Sequence, residues 1–163
     1  MIEIERKFLV RPGLLDLRGG EDIKQWYVMR DEGRSLRVRK SDNGYTLTVK
    51  VGKGIVRQEI ERELSEAEAF GLIDSALEAP IEKTRHKKNV GKHVWALDVF
   101  GGANEGLVLA EIELMDRNEN FERPAWIGVE VSGDACFQNA NLARNPISRW
   151  RNDFIDLLNG TSR

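Results

Sequence analysis

A single cysteine in 163 residues, Cys136, excludes an internal disulfide. Stability must then come from a buried core, which a chain of this length can form without staples. The lone thiol suits a reducing compartment and, with no catalytic partner evident, reads as a small core residue. There are only two histidines, His86 and His93, and neither belongs to a Cys/His zinc spacing; both read as exposed or structural. No apolar run is long enough to span a bilayer. Charge begins at position 3, which leaves no apolar core for a secretory signal, so the expected location is cytoplasmic. A surplus of one charge is also missing. The 25 basic and 27 acidic residues leave a net charge of -2, so bulk charge gives no reason to expect nucleic acid or a membrane as a partner. A Gly-rich phosphate loop is absent too. Gly101-Gly102 to Gly106 lacks the following Lys-Ser/Thr and stands between strands, not before a helix.

What is abundant is alternation. In Ile2 to Phe8, Glu3, Glu5 and Lys7 fall at every second position and share one strand face, while Ile2, Ile4 and Phe8 share the other with Arg6 interrupting. Arg11-Pro12-Gly13 breaks the chain, and a connection from Leu14 to Asp22 follows. Ile23 to Arg30 reads as a strand whose Trp26-Tyr27 pair suits packing. Arg34 to Lys40 sets Arg37 and Arg39 opposite Leu36 and Val38. Asn43-Gly44 is a hairpin signal, and Tyr45 to Val51 sets Thr46, Thr48 and Lys50 opposite Tyr45, Leu47 and Val49. Ile55 to Glu63 carries Arg57, Glu59, Glu61 and Glu63 on one face.

Ser65-Glu66-Ala67-Glu68 is a capping box. It opens a helix expected to run to Pro80, with Phe70, Ile73, Ala76 and Leu77 as its core stripe. Strands then follow at 81–90 (Lys83, Arg85 and Lys87 on one face), 92–100 and 107–114 (Glu111 and Glu113 opposite Ala110, Ile112 and Leu114), with a last one at 126–132. Asp134 is expected to cap a helix through Leu142. Ser148 is expected to cap a final one with Trp150, Phe154, Leu157 and Leu158 on its apolar side. Eight or so strands joined mostly by hairpins argue for one antiparallel barrel in a single α+β domain, 1–163.

Such a barrel has two possible insides. The apolar faces fill it and the charges meet water, the usual arrangement. Otherwise the apolar faces turn outward against helices and the charges line a polar interior. The helices at 65–79 and 148–159 need a surface, and arginines and glutamates segregate by strand; both favour the second. In that case paired carboxylates on two strands suit a hard divalent cation, and the arginines and lysines opposite suit phosphate oxygens. Acids for a metal together with many bases for anions point to a polyphosphate bound with its metal.

These residues resemble the CYTH superfamily, the triphosphate tunnel metalloenzymes. Glu3-Ile4-Glu5-Arg6-Lys7 resembles its ExExK signature, Leu36-Arg37-Val38-Arg39 its basic strand and Thr46 to Lys50 its T-x-K strand. Arg57 to Glu61 resembles R-x-E-x-E, Lys83-Thr84-Arg85 K-x-R, Asp98-Val99-Phe100 D-x-F, and Glu111-Ile112-Glu113 the second ExE. Glu130 through Asn139 is similar to the closing segment, with Phe137 where a tyrosine is expected.

The resemblance implies a closed eight-stranded antiparallel barrel whose tunnel holds triphosphate. It implies Glu3, Glu5, Glu111 and Glu113 at Mg²⁺ or Mn²⁺, and Lys7, Arg37, Arg39, Lys50, Arg57, Lys83 and Arg85 on phosphates. Glu5, Lys83 and Glu111 would carry catalysis. Glu59, Glu61, Asp98 and Glu130 would be ligands, water-positioning groups or orienters of bases, and Tyr27 would lie near the tunnel mouth. The expected activity is metal-dependent hydrolysis of inorganic triphosphate, with nucleoside triphosphates as further candidates. Adenylate cyclase on the same frame, or a polyphosphate- or nucleotide-binding module, is the alternative. The final helix either packs on the barrel or seals one tunnel end with Arg149 or Arg151 nearby. The oligomeric state is open, a homodimer included.

Overall fold

Strand alternation decides the architecture. A computed structural model describes all residues except Met1, Pro12, Asp16 and 161–163. Pro12, at the centre of the expected break, and Asp16, in the connection after it, therefore lie outside the described residues. The strands are β1 (Ile2–Val10), β2 (Glu21–Asp31), β3 (Arg34–Ser41), β4 (Gly44–Val51), β5 (Val56–Leu64), β6 (Ile81–Val90), β7 (His93–Phe100), β8 (Val108–Glu113) and β9 (Ile127–Glu130); the helices are α1 (Glu66–Ile73), α2 (Asn139–Arg144) and α3 (Arg151–Leu158). The order β1-β5-β4-β3-β2-β6-β7-β8 returns to β1, so eight antiparallel strands close into a ring. The short β9 pairs with the far end of β1, past the point where β5 begins: Phe8 faces Glu130 and Val10 faces Ile127.

The apolar faces point outward. Phe8, Trp95, Leu97, Ala110 and Ile112 are fully buried on the outside of the ring, beneath Trp126, Ile127, Phe121, Leu15 and Leu17. This cover is extended chain, not helix. On the other side α1 lays Ala69, Leu72 and Ile73 over Val38, Leu64, Val28, Tyr45 and Leu47. The charged faces are left inside.

The structure corrects three helix expectations. The capping box forms, with Ser65 Oγ accepting from the Glu68 amide and the Glu68 carboxylate accepting from the Ser65 amide. However, α1 stops at Ile73, not at Pro80, and Phe70 and Leu77 are half exposed. The chain leaves the helix because the Leu77 amide donates to the Tyr27 carbonyl on β2 and Arg30 holds Glu78. The helix expected at 134–142 is a 3-10 turn at Ala135–Phe137, capped by Asp134, followed by α2. Ser148 caps nothing, and α3 begins only at Arg151. Buried Asn104 accepts from the Ile147 amide and donates to the Leu142 carbonyl, which fixes this connection as a 3-10 turn.

The C-terminal segment does not cover the outer wall. Phe137, Leu142, Ile147 and Phe154 pack with Leu9, Tyr27, Ile81, Phe100 and Leu109. By strand parity the latter five continue the inward rows of Lys7, Gln25, Lys83, Asp98 and Glu111. The inner face therefore turns from charged to apolar towards one end of the ring, and the segment closes it there. Arg149 and Arg151 bind the carbonyls of Arg144 and Glu105, away from the interior.

Candidate active site

Seven of the eight ring strands, all but β7, put charged side chains into a shared cavity of about 550 Å³. Of the expected residues, Glu3, Glu5, Lys7, Tyr27, Arg37, Arg39, Lys50, Arg57, Glu59, Glu61, Arg85, Glu111 and Glu113 line it. Three others do not. Glu130 faces outward, bound to Arg6 and Ser132, because β9 continues the outer register of β1. Lys83 and Asp98 face inward but lie deeper than the cavity, where the interior turns apolar. Asp98 is wholly buried, takes two bonds of 2.7 Å from the Arg85 guanidinium and pairs with the Lys83 ammonium, which also lies over the Phe100 ring. Tyr27 is only 4% exposed and sits deep, against the closing segment, not at a mouth.

The acids and bases form one series. Lys83, Asp98, Arg85, Glu111, Lys7, Glu5, Arg57, Glu3, Lys50 and Glu59 are ten side chains alternating in sign, each within ion-pair distance of the next. Glu111 stands 2.8 Å from Lys7 and 2.7 Å from Arg85. Lys50 donates to both Glu3 oxygens at 3.0 and 2.9 Å, and its ammonium pairs with a Glu59 oxygen at 2.6 Å. Arg39 pairs with Glu61 at 2.6 Å, and Thr48 donates to the same oxygen at 3.0 Å. Burial would lower Arg37, but Tyr27 and Glu59 beside it outweigh that and hold its guanidinium charged; its buried Nε, like that of Arg57, has no hydrogen-bond partner among the described residues.

Proton affinities follow from these neighbours. Burial alone would lower Lys7, but Glu111 and Glu5 outweigh it and hold its ammonium charged well above the ordinary lysine range. Glu111 would be raised by burial, yet Lys7 and Arg85 hold it far below the usual carboxylate value. Arg39 is lowered by burial and by crowding against Arg37. Glu3 is raised by burial and by Glu5 beside it, despite Lys50.

Lys83 behaves oppositely to Lys7. Burial, reinforced by Arg85, brings it down to about 8 although Asp98 opposes the fall. Arg85 donates two bonds to Asp98 and one to Glu111, which leaves Lys83 the weaker claim on the shared carboxylate. The sign of the linkage follows. Between about pH 8 and the ordinary lysine value the unfolded chain keeps a proton that folded Lys83 has released, so this residue makes stability rise with pH across that window. Denaturant titrations at pH 7.5, 8.5 and 9.5 should show the rise in the wild type and a flatter profile in Lys83→Met. Equal slopes in the two would refute this reading.

A divalent cation would find hard oxygen donors on β1 and β8. Glu5 and Glu113 lie directly opposite in register and Glu111 opposite Lys7; like charges facing each other across a sheet are unfavourable without a counter-ion. The donor set fits magnesium or manganese chemistry. Among the described residues no three carboxylates are yet grouped around one point, since Glu3, Glu5 and Glu111 are turned onto the bases. His86 and His93 add no ligands: His93 pairs with Glu119 on the outer side, and its ring meets Phe121 edge-on.

One lining residue escapes strand parity. β2 bulges between Tyr27 and Met29, so Val28 and Met29 both turn outward and Arg30 turns inward. Its guanidinium binds Glu78 and the Ala140 carbonyl at the cavity rim. Nothing in Tyr-Val-Met-Arg signals a bulge.

A CYTH domain profile matches residues 1–137. The chain belongs to the CYTH domain family. It is 44% identical over 153 residues to an inorganic triphosphatase of Acetivibrio thermocellus, covering 91% of this chain and 97% of that one. It is 34% identical over 148 residues to an inorganic triphosphatase of Nitrosomonas europaea, covering 88% and 97%. The crystal structure of the inorganic triphosphatase NE1496 superposes with a TM-score of 0.63 at 30% identity, over 86% of this chain and 93% of that one. The CYTH match spans every ring strand and stops where the closing segment starts; the cavity-lining residues of α2 and Gln138 lie beyond it.

Proposed function

We propose that this chain is a divalent-metal-dependent triphosphatase that hydrolyses inorganic triphosphate to pyrophosphate and phosphate. The observation that carries the reading is the convergence of Lys7, Arg37, Arg39, Lys50, Arg57 and Arg85 on one cavity beside the carboxylate rows of β1 and β8. So dense a set of cations exceeds what a single phosphate requires and suits a chain of them. The kinship with two inorganic triphosphatases supports it.

In this reading the six bases hold the phosphate chain in line and neutralise the charge that develops on the leaving pyrophosphate. Glu3, Glu5, Glu111 and Glu113 would hold Mg²⁺ or Mn²⁺. Bound there, the ion supplies positive charge to the reacting phosphoryl group and lowers the pKa of a water. Lys83, deeper than the cavity, acts through Asp98 on Arg85 and does not touch the phosphates directly. Inorganic triphosphate is favoured over nucleoside triphosphates because Tyr27 is the one aromatic lining the cavity among the described residues, and at 4% exposure it offers a base no stacking surface.

The test is phosphate release from inorganic triphosphate and from ATP, with Mg²⁺ or Mn²⁺ and with chelator. Release from triphosphate that chelator abolishes is the expected result, with ATP the poorer substrate. Release indifferent to chelator would sink the metal assignment. Cyclic AMP and pyrophosphate from ATP would identify a cyclase, and binding without turnover a non-catalytic module.

A further inference from the structure

The alternating series has a second consequence, which rests on the function proposed above. Each base in it already holds an anion. Glu111 occupies Lys7 and Arg85 at 2.8 and 2.7 Å, Glu5 reaches Arg57 at 3.2 Å, and Glu3 covers Lys50 with both oxygens. These are charge-assisted contacts of the kind a phosphate oxygen would make with the same nitrogens. We infer that Glu3, Glu5 and Glu111 are built-in competitors for the phosphate subsites, so that the cavity excludes free triphosphate and accepts it only together with a divalent cation.

The physical reasoning is one of stranded charge. Triphosphate entering alone must pull the bases from their carboxylates and leave those part-buried acids without a counter-charge, which is unfavourable. Carboxylates drawn onto a divalent cation release the same bases at no such cost. The two ligands therefore favour each other through the protein, in addition to their attraction in solution. Arg37 offers a phosphate its buried Nε, which has no hydrogen-bond partner among the described residues.

The sign of one consequence is unusual: removing a metal-binding carboxylate should strengthen binding of triphosphate in chelator. Calorimetric titration of inorganic triphosphate into wild type, Glu5→Gln, Glu3→Gln and Glu130→Gln, all in chelator, tests it. Glu130 is the control, since it carries the same charge on the outer wall. Glu5→Gln and Glu3→Gln are expected to bind about tenfold more tightly than wild type, with Glu130→Gln unchanged. Thermal melts identify any variant that fails to fold, and the second cavity variant then carries the test. Unchanged or weaker binding by the folded Glu5→Gln and Glu3→Gln proteins would overturn the inference, as would equal tightening in Glu130→Gln, which would reflect net charge alone. Phosphate release by wild type with Mg²⁺ reads the proposed function separately: if it persists while the variants bind no better, only the inference falls.

Discussion

Glu111→Gln is expected to lower the turnover of inorganic triphosphate by about 10²–10³-fold in saturating Mg²⁺, the usual cost of losing one preorganised electrostatic group. Two roles meet at this carboxylate. It stands on β8 across from Lys7, next to the Glu5–Glu113 pair, where it would be a metal ligand. It also bridges Lys7 and Arg85, so it fixes where two phosphate-binding cations stand. Steady-state phosphate release from Glu111→Gln and from Glu130→Gln gives the comparison. Both substitutions remove one carboxylate from this part of the chain, but only Glu111 faces the cavity. Equal losses in the two variants, or no loss at Glu111, would remove it from the reacting centre.

That distinction between Glu111 and Glu130 shows what the sequence can and cannot convey. Side-chain parity is readable wherever a strand is regular. Glu3/Glu5/Lys7, Arg37/Arg39, Lys50 and Arg85 share their faces because the period of two is local. Which face is the inside is a tertiary fact. Complementary charges on different strands suggested the polar interior, and the ring closure of β1 onto both β5 and β8 makes it so. Glu130 misled because its strand joins only the tail of β1, in the register of the outward Arg6 and Phe8. Arg30 was hidden by a bulge, which shifts parity by one residue without any change of composition. The closing segment was hidden differently. The apolar stripe of Trp150, Phe154, Leu157 and Leu158 states that α3 must be buried, but not whether the wall or the end of the ring receives it. That is decided by the inward residues Leu9, Ile81, Phe100 and Leu109, where the interior rows cease to be charged.

Asp98 stands where the interior changes from charged to apolar. It has no solvent exposure and is the shared anion of Lys83 and Arg85. Asp98→Asn is expected to destabilise the fold by about 3–5 kcal/mol, because it leaves a buried ammonium without a counter-charge. The loss should be smaller in Asp98→Asn/Lys83→Met. There both buried charges are gone, and Arg85 keeps Glu111 at 2.7 Å; replacing a buried pair by apolar volume is often neutral. Denaturant melts of the two singles and the double give a coupling energy, and purely additive losses would refute the pairing. Activity separates stability from positioning. If Asp98 acts by aiming Arg85, the stable double variant should still bind triphosphate but turn it over slowly, since Arg85 would then be held by Glu111 alone. Wild-type turnover in that double variant would leave Asp98 with a role in folding only.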